Sequence, residues 1–136
     1  MGKNYKTIKK INSKAKKCLI CALNETGIYN VHRGKYWFVD NPMDIKLNGL
    51  FFLKTKRHLE SIEKLNDGEK KELGFLLTKF ARKSKRLSNA KRVIVWSLGL
   101  KDPHVHFWIV PYTEDNEKEI LGISKAVKKL ANKYRK

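Results

Sequence analysis

His104-Val105-His106-Phe107-Trp108-Ile109-Val110-Pro111 is an apolar run that holds two of the chain's four histidines. On a strand, side chains two apart project to the same face. The run therefore predicts a strand with His104, His106 and Trp108 on one face and Val105, Phe107 and Ile109 on the other. A lone core histidine is usually just a satisfied polar group. Two imidazoles side by side each need a hydrogen-bond partner or a ligand, which points to chemistry. Near neutral pH an imidazole serves as base, nucleophile or metal ligand, and two neighbours need not do the same job.

Upstream, Arg92–Leu98 reads as a buried central strand, joined to the histidine strand by a tight connection over Gly99–Pro103. Before it comes the clearest helix. Asn66 with Glu69 three residues on forms a capping box. Leu73, Leu76, Leu77, Phe80 and Leu87 fall on one helical face, and Lys79, Arg82, Lys83 and Arg86 on another. The helix is expected to dock on a sheet and show a basic stripe outside. Gly27–Arg33, Lys35–Val39 and Gly49–Leu53 read as antiparallel strands, bounded by Gly34, Asp40-Asn41-Pro42 and Asn48-Gly49. His32 reads as a surface strand residue. Lys54–His58 reads as a basic loop in which His58 supplies a metal ligand or the cations meet phosphate. Glu117–Tyr134 is expected to be a second amphipathic helix, with Ile120, Ile123, Val127, Leu130, Ala131 and Tyr134 on its face. The order defines an α+β class: an antiparallel sheet with helices packed to one side.

A chain of 136 residues suggests one domain. We place a basic N-terminal arm at residues 1–17 and a single domain at 18–136. At 41% hydrophobic residues, the composition excludes a disordered or collagen-like polymer. No apolar run approaches the ~20 residues of a membrane span. Met1–Lys17 lacks the apolar core of a signal peptide, so a soluble, cytoplasmic protein is expected. Charge is the extreme feature: 31 Lys and Arg against 13 Asp and Glu give +18. Lys3–Lys17 holds seven lysines, Lys79–Arg92 seven basic residues and Lys125–Lys136 six, all without an acid. Such a field attracts phosphates on nucleotides, nucleic acid or anionic lipid, although the plainer reading is a solvated surface.

Cys18-Leu19-Ile20-Cys21 is the second chemical signal. This spacing in an intracellular chain suggests zinc or a redox pair, against two ordinary buried thiols. Zinc needs two further ligands, and His32, His58, His104 and His106 are the candidates.

Together these segments resemble the histidine triad (HIT) family, which carries His-x-His-x-His-x-x-Pro on a strand and often an N-terminal C-x-x-C. The match runs from Cys18-Leu19-Ile20-Cys21 through Phe38-Val39-Asp40-Asn41-Pro42 and Leu50–His58 to His104–Pro111. The resemblance implies a HIT-like fold with a five-stranded antiparallel sheet, a long helix and a C-terminal helix, often dimeric. It implies that His106 is a nucleophile that attacks the α-phosphorus of a nucleotide or dinucleoside polyphosphate to form a nucleotidyl-histidine. It implies structural zinc on Cys18, Cys21, His58 and His104, and a ribose contact near Asp40. The chain departs from the pattern at Trp108, where the third histidine would stand, at Tyr112 and at Leu50. Trp108 either donates to phosphate through its indole N–H or fills the pocket. Ser97 and Lys101 are candidate phosphate donors. The expected activity is that of a nucleotide hydrolase or nucleotidyl transferase. The alternative is a non-catalytic or nucleic-acid-directed nucleotide-binding module. Sheet edges and aromatics such as Tyr36 and Trp37 suggest a homodimer.

Overall fold

The computed structural model describes residues 18–42, 45, 47–99, 103–122, 125, 128, 129 and 132. The expected basic arm, Lys101, and Ile123, Val127, Leu130, Ala131 and Tyr134 of the expected second amphipathic helix lie outside the described residues.

Five short segments, four of them rich in β-branched and aromatic residues, pair as strands: β1 (Asn30–Arg33), β2 (Trp37–Asp40), β3 (Phe51–Thr55), β4 (Arg92–Trp96) and β5 (His106–Tyr112). They form one antiparallel sheet in the order β1-β2-β3-β5-β4. Among the described residues it is accompanied by the α-helices α1 (Leu19–Thr26), α2 (Asp67–Ser88) and α3 (Glu117–Leu121). Trp37, Val39, Phe51, Leu53, Val105 and Ile109 point to one face, where Leu76 and Phe80 of α2 cover them. Phe52, Trp108 and Val110 point to the other, with Leu50 beside them, and meet Cys18, Ile20 and Ile45, with Ile120 of α3 packed alongside. Helical residues thus cover both faces, not the single side expected from the sequence.

The capping box forms as read: Glu69 N–H donates to Asn66 Oδ1 at 2.8 Å, and Asn66 N–H donates to Glu69 Oε1 at 2.9 Å. Leu73, Leu76, Leu77 and Phe80 face the core, but Leu87 stays exposed. Ser84 takes the inward place in the last turns because Gly49 packs against it: a Cβ on Gly49 would lie 2.8 Å from the Ser84 carbonyl oxygen.

Three expectations need correction. Arg92–Leu98 is not a central strand: β4 lies at the sheet edge and pairs with β5. Its residues turn alternately to the two covered faces, so its sequence looks like that of a strand with two neighbours. Trp37 is not an exposed aromatic. It is fully buried, and its Nε1–H donates to the Glu69 carbonyl at 2.9 Å. Tyr36 is half-buried. Lys54 and Thr55 are not loop residues: they complete β3 and are buried. His32 is half-buried, with its ring edge-on to Phe80 at 5.7 Å.

Candidate metal centre and active site

Cys18 and Cys21 sit at the start of α1, a helix that the apolar pattern of this region does not reveal. Cys18 is its N-cap, and its sulfur accepts the Cys21 N–H at 3.4 Å. Gly27 ends the helix with φ +61°, a left-handed conformation that glycine adopts without strain. The helix holds both sulfurs toward the bend before β5, where His104 lies.

His104 Nε2–H donates to the Thr55 carbonyl at 2.8 Å, so its Nδ1 lone pair faces the sulfurs, at 3.4 Å from each. His58 Nε2–H donates to Glu60 Oε1 at 3.1 Å, and its Nδ1 lies 3.3 Å from Cys21 Sγ. Both histidines therefore present the same type of atom to one point, each oriented by an acceptor on its far nitrogen. The four ligand atoms all lie within 4.8 Å of one another. In a tetrahedral zinc site with bonds of about 2.3 Å to sulfur and 2.0 Å to nitrogen, sulfur and nitrogen are about 3.5 Å apart. The cluster is compatible with a zinc site. A hydrogen bond from Cys21, supported by His104, holds the Cys18 thiol at about 3 against the opposing effect of burial. Cys18 is thus readily a thiolate, the form that binds metal.

His106 opens β5 on the same face as Trp108. Its Nδ1–H donates to the His104 carbonyl at 2.5 Å, which leaves the Nε2 lone pair available. Burial pushes the imidazole below its ordinary 6.5, so the neutral form prevails near pH 7. The residue is 8% exposed. Register places Lys54 opposite His106, Phe52 opposite Trp108 and Asp40 opposite Phe52, so all five side chains share one face.

Asp40 is buried and engaged from two sides, by Lys54 Nζ at one oxygen and by Asn30 Nδ2 at the other. Trp108 stacks on Phe52, with centroids 4.4 Å apart, and Phe52 meets the His106 ring edge-on at 5.0 Å. Trp108 is buried in one apolar cluster with Leu50, Val110 and Ile20. Ser97 Oγ–H donates to the His106 carbonyl at 2.5 Å and so braces the histidine strand. The structure thus assembles Cys18, Cys21, His58 and His104 at one point, and sets His106, Trp108 and Asp40 on one face. Two contributors escape a reading of the sequence: Glu60 and Asn24, whose Nδ2 donates to the same Thr55 carbonyl as His104. For Glu60 and Asn24 there is no legible signal, since their partners are set by tertiary contact.

No protein-family model and no curated protein matches the chain. Solved structures do. A HIT-like protein from Bartonella henselae, described as involved in cell-cycle regulation, superposes with TM-score 0.61 at 16% identity, covering 88% of this chain and 95% of that one. A HIT family member from Bacillus subtilis gives 0.60 at 16%, covering 82% and 95%. A hypothetical histidine triad nucleotide-binding protein from Sulfolobus tokodaii gives 0.61 at 14%, covering 85% and 92%. The fold is therefore the HIT-like α+β fold. It carries here a Cys2His2 cluster able to hold a metal ion, beside a buried histidine with its Nδ1 fixed.

Proposed function

We propose that this chain is a HIT-like nucleotide hydrolase or nucleotidyl transferase that acts at an α-phosphate, with dinucleoside polyphosphates among its substrates. One observation carries the reading: the His104 carbonyl holds His106 Nδ1–H, which aims a neutral Nε2 as nucleophile. In the first step Nε2 forms a bond to phosphorus while the bond to the leaving group breaks, and the leaving group departs with that electron pair. Water or another acceptor then takes the nucleotide from Nε2, and the neutral imidazole returns. Lys54 and Asp40 form a buried ion pair on this face beside His106. Trp108 with Phe52 forms the aromatic wall beside the substrate, Ser97 contributes beside the phosphate, and Lys101 is a further phosphate contact. Zinc is the metal proposed for Cys18, Cys21, His58 and His104, in a structural role, because two thiolates and two imidazoles are a closed zinc donor set.

The test is incubation with a labelled dinucleoside polyphosphate, followed by acid quench and intact-mass analysis. A nucleotidyl adduct and turnover are expected from the native chain. Both should vanish in His106→Ala, with an unchanged circular dichroism spectrum. Turnover that survives in that variant would reject the mechanism.

A non-catalytic, nucleic-acid-directed reading is favoured by one observation, the basic outer face of α2. Among the described residues no helix is long and apolar enough to cross a membrane. A cytoplasmic location is part of the proposal, since a reducing compartment keeps a pair of cysteine metal ligands from oxidising. A homodimer through the β4 edge is proposed from Val95, which is 44% exposed there.

A further inference from the structure

The outer face of α2 carries a row of cations that the chemistry at His106 does not use. Phe75, Lys79, Arg82, Lys85, Arg86 and Asn89 line an open groove of about 890 Å³. The four cations are exposed, and no described carboxylate pairs with any of them. The nearest acids are engaged elsewhere. Glu69 holds Arg57, Glu72 accepts the backbone N–H groups of Tyr36 and Trp37, and Glu114 holds Lys91. From Leu73 to Lys101 the sequence has no acid at all.

Lys85 and Arg86 lie in the last turn of the helix, where they also meet the negative end of its dipole. Lys79 and Arg82 lie further back and have no such reason to be there. Like charges three and four residues apart repel by a few tenths of a kcal/mol each, a cost that a bound polyanion relieves. At the other end of the groove Phe75 is 65% exposed, with Lys79 Nζ 5.9 Å from its ring centre. A membrane-binding helix face would need a stripe of apolar residues. This groove instead sets one ring against four charges, the pairing that single strands use: phosphates on cations, a base on an aromatic face. From Phe75 to Asn89 the helix runs roughly 21 Å, at about 1.5 Å per residue, room for several nucleotides.

We propose that this groove binds single-stranded nucleic acid, with phosphates on Lys79, Arg82, Lys85 and Arg86 and an unpaired base on Phe75. The proposal is independent of nucleotidyl transfer at His106, and the two are read by different measurements.

The experiment is fluorescence anisotropy of the full chain with a labelled twelve-nucleotide oligo-dT and its duplex counterpart, over a series of salt concentrations. The triple variant K79E/R82E/R86E should bind the single strand at least tenfold more weakly. Its slope of log K against log salt should be shallower by about 2, at about 0.7 for each phosphate no longer neutralised. Phe75→Ala should weaken single-strand binding at least fivefold, the fold-change of about 1 kcal/mol per stacked base, and leave the duplex unaffected. His106→Ala should bind like the native chain. Native-like binding by the triple variant would assign the affinity to the basic termini and overturn the proposal. So would a Phe75→Ala variant with no effect, or binding to phosphatidylserine vesicles without binding to the oligonucleotide.

Discussion

Lys54 is a cation with no exposed surface, set in the middle of the sheet on the face that carries His106. An isolated buried charge would be expelled or neutralised. Asp40 and its hydrogen bond from Asn30 keep the pair in place, although burial still pulls the ammonium below its ordinary 10.5. Removal of one partner leaves the other charge uncompensated. Lys54→Met should therefore destabilise the fold by about 3–5 kcal/mol, read as a lower urea midpoint at constant slope. The double variant K54M/D40L should recover most of that loss. A single variant as stable as the native chain would show that the pair contributes little. The family resemblance puts Asp40 near a ribose, but its partners are Lys54 and Asn30, which lie on the strands to either side of it.

The N-terminus of α2 shows how an element is held by a single carboxylate. Glu69 closes the capping box and also accepts Arg57 Nε at 3.0 Å and Nη2 at 2.8 Å. Arg57, aided by the Asn66 N–H, holds the Glu69 carboxyl below its ordinary 4.5. The folded chain thus binds that proton more weakly than the unfolded chain does. The stability contributed is complete above about pH 4.5 and is lost as pH falls through and below it. Glu69→Gln should melt lower than the native chain at pH 7, and the gap should narrow from pH 5 to pH 3 in thermal unfolding. Parallel curves would contradict this. α2 is legible in the sequence because its cap, its period and its length agree. α1 is not, since eight residues with apolar side chains on several sides fit a strand or a helix equally well.

Cys18 and His104 are 86 residues apart, and the metal ligands come from α1, the segment after β3 and the bend before β5. A metal here ties the first described element to the central strand of the sheet. One zinc per chain is expected by elemental analysis after dialysis, lost in Cys18→Ser. Chelation should lower the melting temperature, since an ion bound only to the folded chain stabilises it by mass action. A chain that retains its melting temperature without metal would refute a structural role. The β4 edge belongs to the same scale. Val95→Glu should convert a dimer to a monomer in light scattering, and a native chain that is already monomeric at high concentration would remove the proposal.

Composition and local pattern settled the α+β class, the capped helix, the strand from His106 onward and the C-x-x-C pair, because each depends on residues a few positions apart; His104, expected on that strand, falls in the bend before it. Strand order, the edge position of β4, the burial of Trp37 and the Lys54–Asp40 pair depend on which distant segments meet. Periodicity reports which way a side chain points, not what lies opposite it. Only the folded sheet decides that, by bringing Asp40, Lys54 and His106 onto one face and two cysteines and two histidines to one point.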